Sequence, residues 1–149
     1  MANRTAIYLF GHQRQKVVKT FNNLTDYYNE LSFYYKIKSL SHMDKWKINL
    51  CDIIDTDNEL FEITYKYGGS EVIYHNINKE LKVEYENNLN KFQGVCIYLQ
   101  VLPTEFNILI NEFGREFYFI DFEKFHFIND TERITNYFNE YRKTQGIEV

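Results

Sequence analysis

Strand-like runs follow one another along most of this chain, separated by turn residues, and helix-like stretches stand early and last. Segregation of that kind, without strand–helix alternation, predicts an α+β fold: a mainly antiparallel sheet of about five to seven strands with an early helix and a C-terminal helix packed on it. The chain has 149 residues, a single proline (Pro103), no Pro/Gly/Ser-rich linker and no repeat. Residues 1–149 are therefore expected to form a single compact domain with a core of its own.

"TAIYLF" is β-branched and aromatic up to Gly11, and reads as a strand. "LTDYYNELSFYYKIKSL" is long enough for a helix capped near Thr25, with Tyr27, Leu31 and Tyr34/Tyr35 on one face and Asn29, Ser32, Lys36 and Ser39 on the other. Leu31, Phe33, Tyr35 and Ile37 also alternate, so a strand stays open there. "WKINLCDII", "ELFEITYKY" and "SEVIYHNI" read as three meandering strands, joined through "DTDN" and "GGS". "ELKVEYENNLNKF" is open between strand (Leu81, Val83, Tyr85) and helix (Leu81, Tyr85, Leu89, Phe92). "GVCIYLQVL" reads as a strand ended by Pro103, and "TEFNILINEF", "GR", "EFYFIDF" as a hairpin. Asn129 and Glu132 have capping-box spacing before a last helix that lines up Ile134, Phe138 and Tyr141, with Gly146 at its exit.

Aromatic residues make up 18% of the chain, and alanine occurs only at Ala2 and Ala6. Asn, Ile, Lys, Tyr and Phe, whose codons are AT-rich, are abundant, which points to a low-GC bacterium or one of its phages or mobile elements. Cys51 and Cys96 are too few for a disulfide framework, and no run is apolar over the length of a membrane span. A reducing cytoplasm is the expected location, with no membrane association. Net charge is −4, unevenly spread: residues 1–50 hold 8 Lys/Arg and 3 Asp/Glu, residues 51–149 hold 9 and 18. The basic first third either binds a polyanion or is neutralised by the rest of the chain.

Three sets of residues are candidates for chemistry. His12, Arg14, Lys16 and Lys19 follow Gly11 and form a candidate anion- or nucleic-acid-binding set. In a strand His12, Arg14 and Lys16 share a face; in a helix His12, Lys16 and Lys19 do. The second glycine followed by Lys-Ser/Thr of a Walker phosphate loop is absent. Asp55, Asp57, Glu59, Glu84 and Glu86 form a candidate acidic surface for a basic protein partner. "DTDNE" is not a calcium loop, because Leu60 and Lys66 stand where glycine and a bidentate glutamate are needed. His12, His42, His75 and His126 have no metal-ligand spacing, and neither a metal nor a cofactor is expected.

Glu80-Leu81-Lys82, with Glu71 and Asp57 upstream, resembles the acid and (D/E)xK arrangement of the restriction-endonuclease-like family. That resemblance implies Mg²⁺ held by the acids and a lysine polarising the attack. It covers only these residues, and the family's parallel-containing core is not predicted here. The expected function is a protein-binding inhibitor or immunity-type protein that blocks a host or defence enzyme. A nucleic-acid-binding module and a Mg-dependent nuclease are the alternatives. No residue is assigned a catalytic role in the main reading, and the oligomeric state is not legible.

Overall fold

A computed structural model describes residues 3–10, 13–111, 113 and 115–149, without the side chains of residues 9, 10 and 13–15. The fold is α+β, with mostly antiparallel strands. The strands are β1 (Arg4–Phe10), β2 (Gln13–Thr20), β3 (Asn49–Leu50), β4 (Ile53–Asp57), β5 (Glu62–Lys66), β6 (Ser70–Glu71), β7 (Val101–Leu102), β8 (Asn107–Asn111), β9 (Glu116–Ile120) and β10 (His126–Phe127). The helices are α1 (Leu24–Leu40), α2 (Lys79–Leu99) and α3 (Thr131–Gln145). Among the described residues no helix is long and apolar enough to cross a membrane.

The strands divide between a first sheet of order β1-β2-β5-β4, a second of order β3-β9-β8-β6, and the pair β10-β7. Two places in the chain explain the division. "WKINLCDII" breaks at Cys51–Asp52: β3 lies parallel to β9 in the second sheet, while β4 pairs with β5 in the first. After β5 the chain returns through Gly68 and Gly69, so that β6 pairs with β8 instead of completing a three-strand meander. Gly69 has φ +122°, and a Cβ there would collide with the carbonyl oxygen of Ile110. Only glycine permits that approach. "SEVIYHNI" is strand for Ser70–Glu71 alone, then turns through a short 3₁₀ segment at Tyr74–Asn76.

Both ambiguous segments are helical. Asn23, not Thr25, caps α1: its Oδ1 accepts from the Asp26 amide at 2.8 Å. Asn78 caps α2 by accepting from the Leu81 amide at 2.9 Å. α2 runs on through "GVCIYL", in place of the strand expected there, and ends at Gln100 in the left-handed region. Gly94 does not break it; a Cβ there would meet the Trp46 ring at 2.7 Å, so the glycine admits close packing. α3 is capped by Asp130, whose Oδ1 accepts from the Arg133 amide at 3.1 Å, and not by Asn129. The hairpin of β8 and β9 and the Gly146 exit of α3 are as expected.

The core is aromatic. Phe92 of α2 lies 4.5 Å from Phe119, 4.9 Å from Phe106 and 5.8 Å from Phe138 between ring centroids. It thereby ties α2 to β9, to the turn before β8 and to α3. α1 packs on the first sheet through Tyr34 against Tyr65 of β5, and Phe33 packs on Phe125.

Candidate functional site

Helix α1 has two unlike faces. Its inward arc is Asp26, Tyr27, Glu30, Phe33, Tyr34, Ile37 and Leu40, all buried at helical spacing. Its outward arc carries a second apolar line, Leu24, Tyr28, Leu31 and Tyr35, spaced four, three and four residues apart. Leu24 is 48%, Tyr28 50% and Tyr35 53% exposed. Tyr35 thus leaves the face expected for it beside Tyr27, Leu31 and Tyr34, while Leu31 is partly buried and packs against the core. Each exposed tyrosine rests edge-on against a buried one: Tyr28 on Tyr27 at 5.3 Å and Tyr35 on Tyr34 at 5.2 Å. Edge-to-face contact is the favoured aromatic geometry, and it restricts the motion of the outer rings. Both acids of α1 turn inward while Lys36 and Lys38 are exposed, so the outward face carries lysines and no carboxylate. Lys36 lies over the exposed Phe127 ring at 5.9 Å. Tyr28, Leu31, Ser32, Tyr35, Lys36 and Ser39 line one shallow open groove.

The inward face of α1 meets a buried ionic cluster. Lys19 of β2 donates to Asp121 Oδ1 at 2.9 Å and to Glu123 Oε1 at 2.8 Å. Glu30, only 2% exposed, accepts from the Tyr65 hydroxyl at 2.9 Å and from the Phe122 amide at 2.6 Å. The cluster pins the first sheet, through Lys19 and Tyr65, and α1, through Glu30, to the chain leaving β9. Glu123 Oε2 is buried and has no hydrogen-bond partner among the described residues. A cleft of about 160 Å³ beside the cluster is lined by Lys19, Glu30, Cys51, Tyr65, Ile120 and Asp121, among others. Cys51 and Cys96 are free and buried, and burial pushes the Cys51 thiol up to about 12.

Burial opposes the Lys19 charge, but Glu30, Asp121 and Glu123 outweigh it and hold the ammonium above the usual lysine range. Burial likewise pushes the Glu30 carboxyl up to about 7, with Glu123 acting in the same direction and Lys19, Tyr65 and the Phe122 amide against it. The folded state therefore holds a proton on Glu30 that the unfolded chain, with a carboxyl near 4.5, has released. This contribution is fully present below the unfolded value and is lost as pH rises through about 7. Its slope is at most about 1.4 kcal/mol per pH unit. Urea unfolding of wild type and Glu30→Gln at pH 5 and pH 7.5 checks it. Relative to the variant, wild type should be less stable at the higher pH; a pH-independent difference would contradict it.

Of the basic candidates, Lys16 and Lys19 have described side chains, and these two do not share a face. β2 is a strand, so Lys16 and Lys19, three positions apart, point to opposite faces. Lys16 is exposed, with its ammonium 5.8 Å from the Tyr8 ring centroid, while Lys19 is committed to carboxylates inside the fold. Arg14 is placed by its backbone opposite Leu9, and His12 lies outside the described residues. The acidic candidates divide between two elements. Asp57 Oδ1 accepts from the Glu59 and Leu60 amides at 2.9 and 3.0 Å and closes the turn from β4 to β5, and Asp55 accepts from the Thr56 amide at 2.9 Å. Glu84 and Glu86 belong to α2, and Glu86 accepts from the Tyr74 hydroxyl at 3.2 Å.

Glu80 and Lys82 stand in the first turn of α2, and Glu71 in β6. Residues two apart face one way on a strand but not on a helix. Accordingly Glu80 pairs with exposed Arg115 at 3.8 Å, while Lys82 sits 5.1 Å from the Tyr74 ring centroid. Among the described residues no group of three His, Cys, Asp or Glu side chains is arranged to hold a metal ion.

Sequence reasoning missed Glu30, Tyr65, Asp121 and Glu123. The signal for Glu30 was present: it is a carboxylate at helical spacing within the apolar arc of Tyr27, Phe33, Tyr34 and Ile37. Asp121 and Glu123 carried none, since only the tertiary fold brings them to Lys19. Compared with known proteins, the chain matches no family model and no curated protein sequence.

Proposed function

We propose that the protein works by binding, holding a protein partner on the outward face of α1 in the manner of an inhibitor or immunity-type protein. One observation carries this reading: Tyr28 and Tyr35 present half-exposed rings set edge-on against those of Tyr27 and Tyr34. Tyrosine anchors held rigidly before binding supply contact area at little entropic cost. Exposed Leu24 lies in line with Tyr28 and Tyr35, and Leu31 between them is partly buried against the core. Mimicry of a polyanion by Asp55, Asp57, Glu59, Glu84 and Glu86 has less support. These residues lie on separate elements, and Asp55, Asp57 and Glu86 already accept local hydrogen bonds.

Photo-crosslinking tests the proposal. Benzoylphenylalanine is placed at position 35 or, as a control on α2, at position 98, where Tyr98 is 60% exposed. Each protein is irradiated in nuclease-treated lysate of a low-GC bacterium. A discrete protein adduct from position 35 and none from position 98 is expected. Adducts from both positions alike, or from position 98 alone, would overturn it.

A further inference from the structure

We infer that the cleft between the two sheets binds a small organic cation, a primary ammonium on a short alkyl chain. The site lies on the inward side of α1 and does not depend on what the outward side holds. Strand register builds its walls. Val17 and Tyr65 are cross-strand partners, so they share one face of the first sheet with Lys19, two residues on from Val17. Leu109 and Ile120 share the face of the second sheet opposite to Ile108, Ile110, Phe117 and Phe119, which are buried in the core. Both faces line the cleft, as do Cys51 and Gly68 in the links between the sheets. Its volume of about 160 Å³ suits a ligand of about six heavy atoms, since a cavity of about 150 Å³ holds benzene.

Charge selects the ligand. Lys19, Glu30 and Asp121 line the cleft, and Glu123 joins them through Lys19. The four make three carboxyl groups to one ammonium. Lys66 also borders the cleft, but it pairs with Lys16 on the face of the first sheet opposite to Tyr65, so its ammonium points away. Cys51 is a neutral thiol, pushed up to about 12 by burial. Glu123 Oε2 is buried without a hydrogen-bond partner among the described residues, so the cluster holds more acceptors than donors. An added ammonium offsets that excess, whereas a carboxylate would increase it. Among the described residues the carboxylates are not arranged to chelate a metal ion, and the apolar walls suit an alkyl chain. Ligand and proton are then linked at Glu30, which Lys19 faces from β2, Tyr65 from β5 and Glu123 from the chain after β9, with Asp121 on the far side of Lys19. With its carboxyl held up to about 7, Glu30 is mostly protonated at pH 6 and mostly ionised at pH 8. A cation favours the ionised form, so its binding should tighten by up to about tenfold over that interval.

The test titrates the protein with n-butylammonium chloride, with n-butanol as the neutral probe of equal size, and with sodium butyrate. Binding is read from the methyl NMR shifts of Val17, Leu109 and Ile120, with exposed Val83 of α2 as reference. An alkylammonium stays charged at both pH values, since amines of this type titrate near 10.4. Butylammonium should bind at least about tenfold tighter than butanol at pH 8, the worth of one charge-assisted hydrogen bond. Its affinity should fall several-fold at pH 6, and Glu30→Gln should abolish that pH dependence. Asp121→Asn, which tolerates the left-handed φ of 71° at this position, should weaken binding at both pH values. Equal binding of butanol, tighter binding of butyrate, no shift at the three cleft methyls, or equal shifts at Val83 would overturn the inference. So would a pH-independent affinity in the wild-type protein, a result that needs no variant to fold.

Discussion

Replacing Lys19 by methionine should cost about 3–5 kcal/mol of stability, the range for removing one partner of a buried charge pair. The reason is the imbalance around it. Lys19 is the ammonium that both Asp121 and Glu123 accept from, at 2.9 and 2.8 Å, and it also lowers the Glu30 carboxyl against burial. Glu123 Oε2 is already without a partner among the described residues. Methionine fills a similar volume but leaves three carboxylates facing one another, of which Glu30 and Glu123 are largely buried. The cost should shrink at pH 5, where Glu30 takes up a proton, and adding Glu30→Gln to Lys19→Met should recover part of it. Urea unfolding of the single and double variants at pH 5 and 7.5 measures all three effects. A loss under about 1 kcal/mol would place Lys19 with ordinary surface ion pairs and contradict the cluster's role.

Local pattern was enough for the elements that local pattern controls. The hairpin of β8 and β9 alternates Ile108 and Ile110 against Phe117 and Phe119, and the exit of α3 needs the left-handed φ of +81° that Gly146 supplies. α1 was ambiguous for a physical reason: it is apolar on both faces, one for the core and one uncovered, so no single period stands out. The end of α2 was misread because Val95 and Cys96 are buried beside Phe92 and Gly94 lies against Trp46, which makes a helix segment look like a continuous apolar strand. The division into two sheets was not legible. It depends on Cys51–Asp52 and Gly68–Gly69 carrying the chain from one sheet to the other, and nothing local marks a strand's partner. For the same reason the sequence showed Lys19 as one of a basic set but could not show the carboxylates waiting 102 and 104 residues further on.

The outer ring pair of α1 should matter for binding and little for folding. Tyr28 and Tyr35 are half exposed, and substitutions at such positions usually change stability by no more than about 0.5 kcal/mol. Tyrosine anchors at an interface are worth about 2 kcal/mol or more each, so losing both should weaken binding by on the order of 1,000-fold. Serine keeps a hydroxyl at each position and removes the ring, which isolates the aromatic contribution. Buried Tyr27 and Tyr34 lose an edge contact but keep their inward partners, Phe61 and Phe21 for Tyr27, Tyr65 and Phe122 for Tyr34. The decisive measurement is therefore the affinity of Tyr28→Ser/Tyr35→Ser, beside wild type, for the protein that crosslinks from position 35, with both melting curves recorded. A loss on the order of 1,000-fold with a melting temperature within a few degrees of wild type is the predicted result. Equal affinity in the two proteins would contradict the claim that α1 is built to hold the fold with one face and a partner with the other.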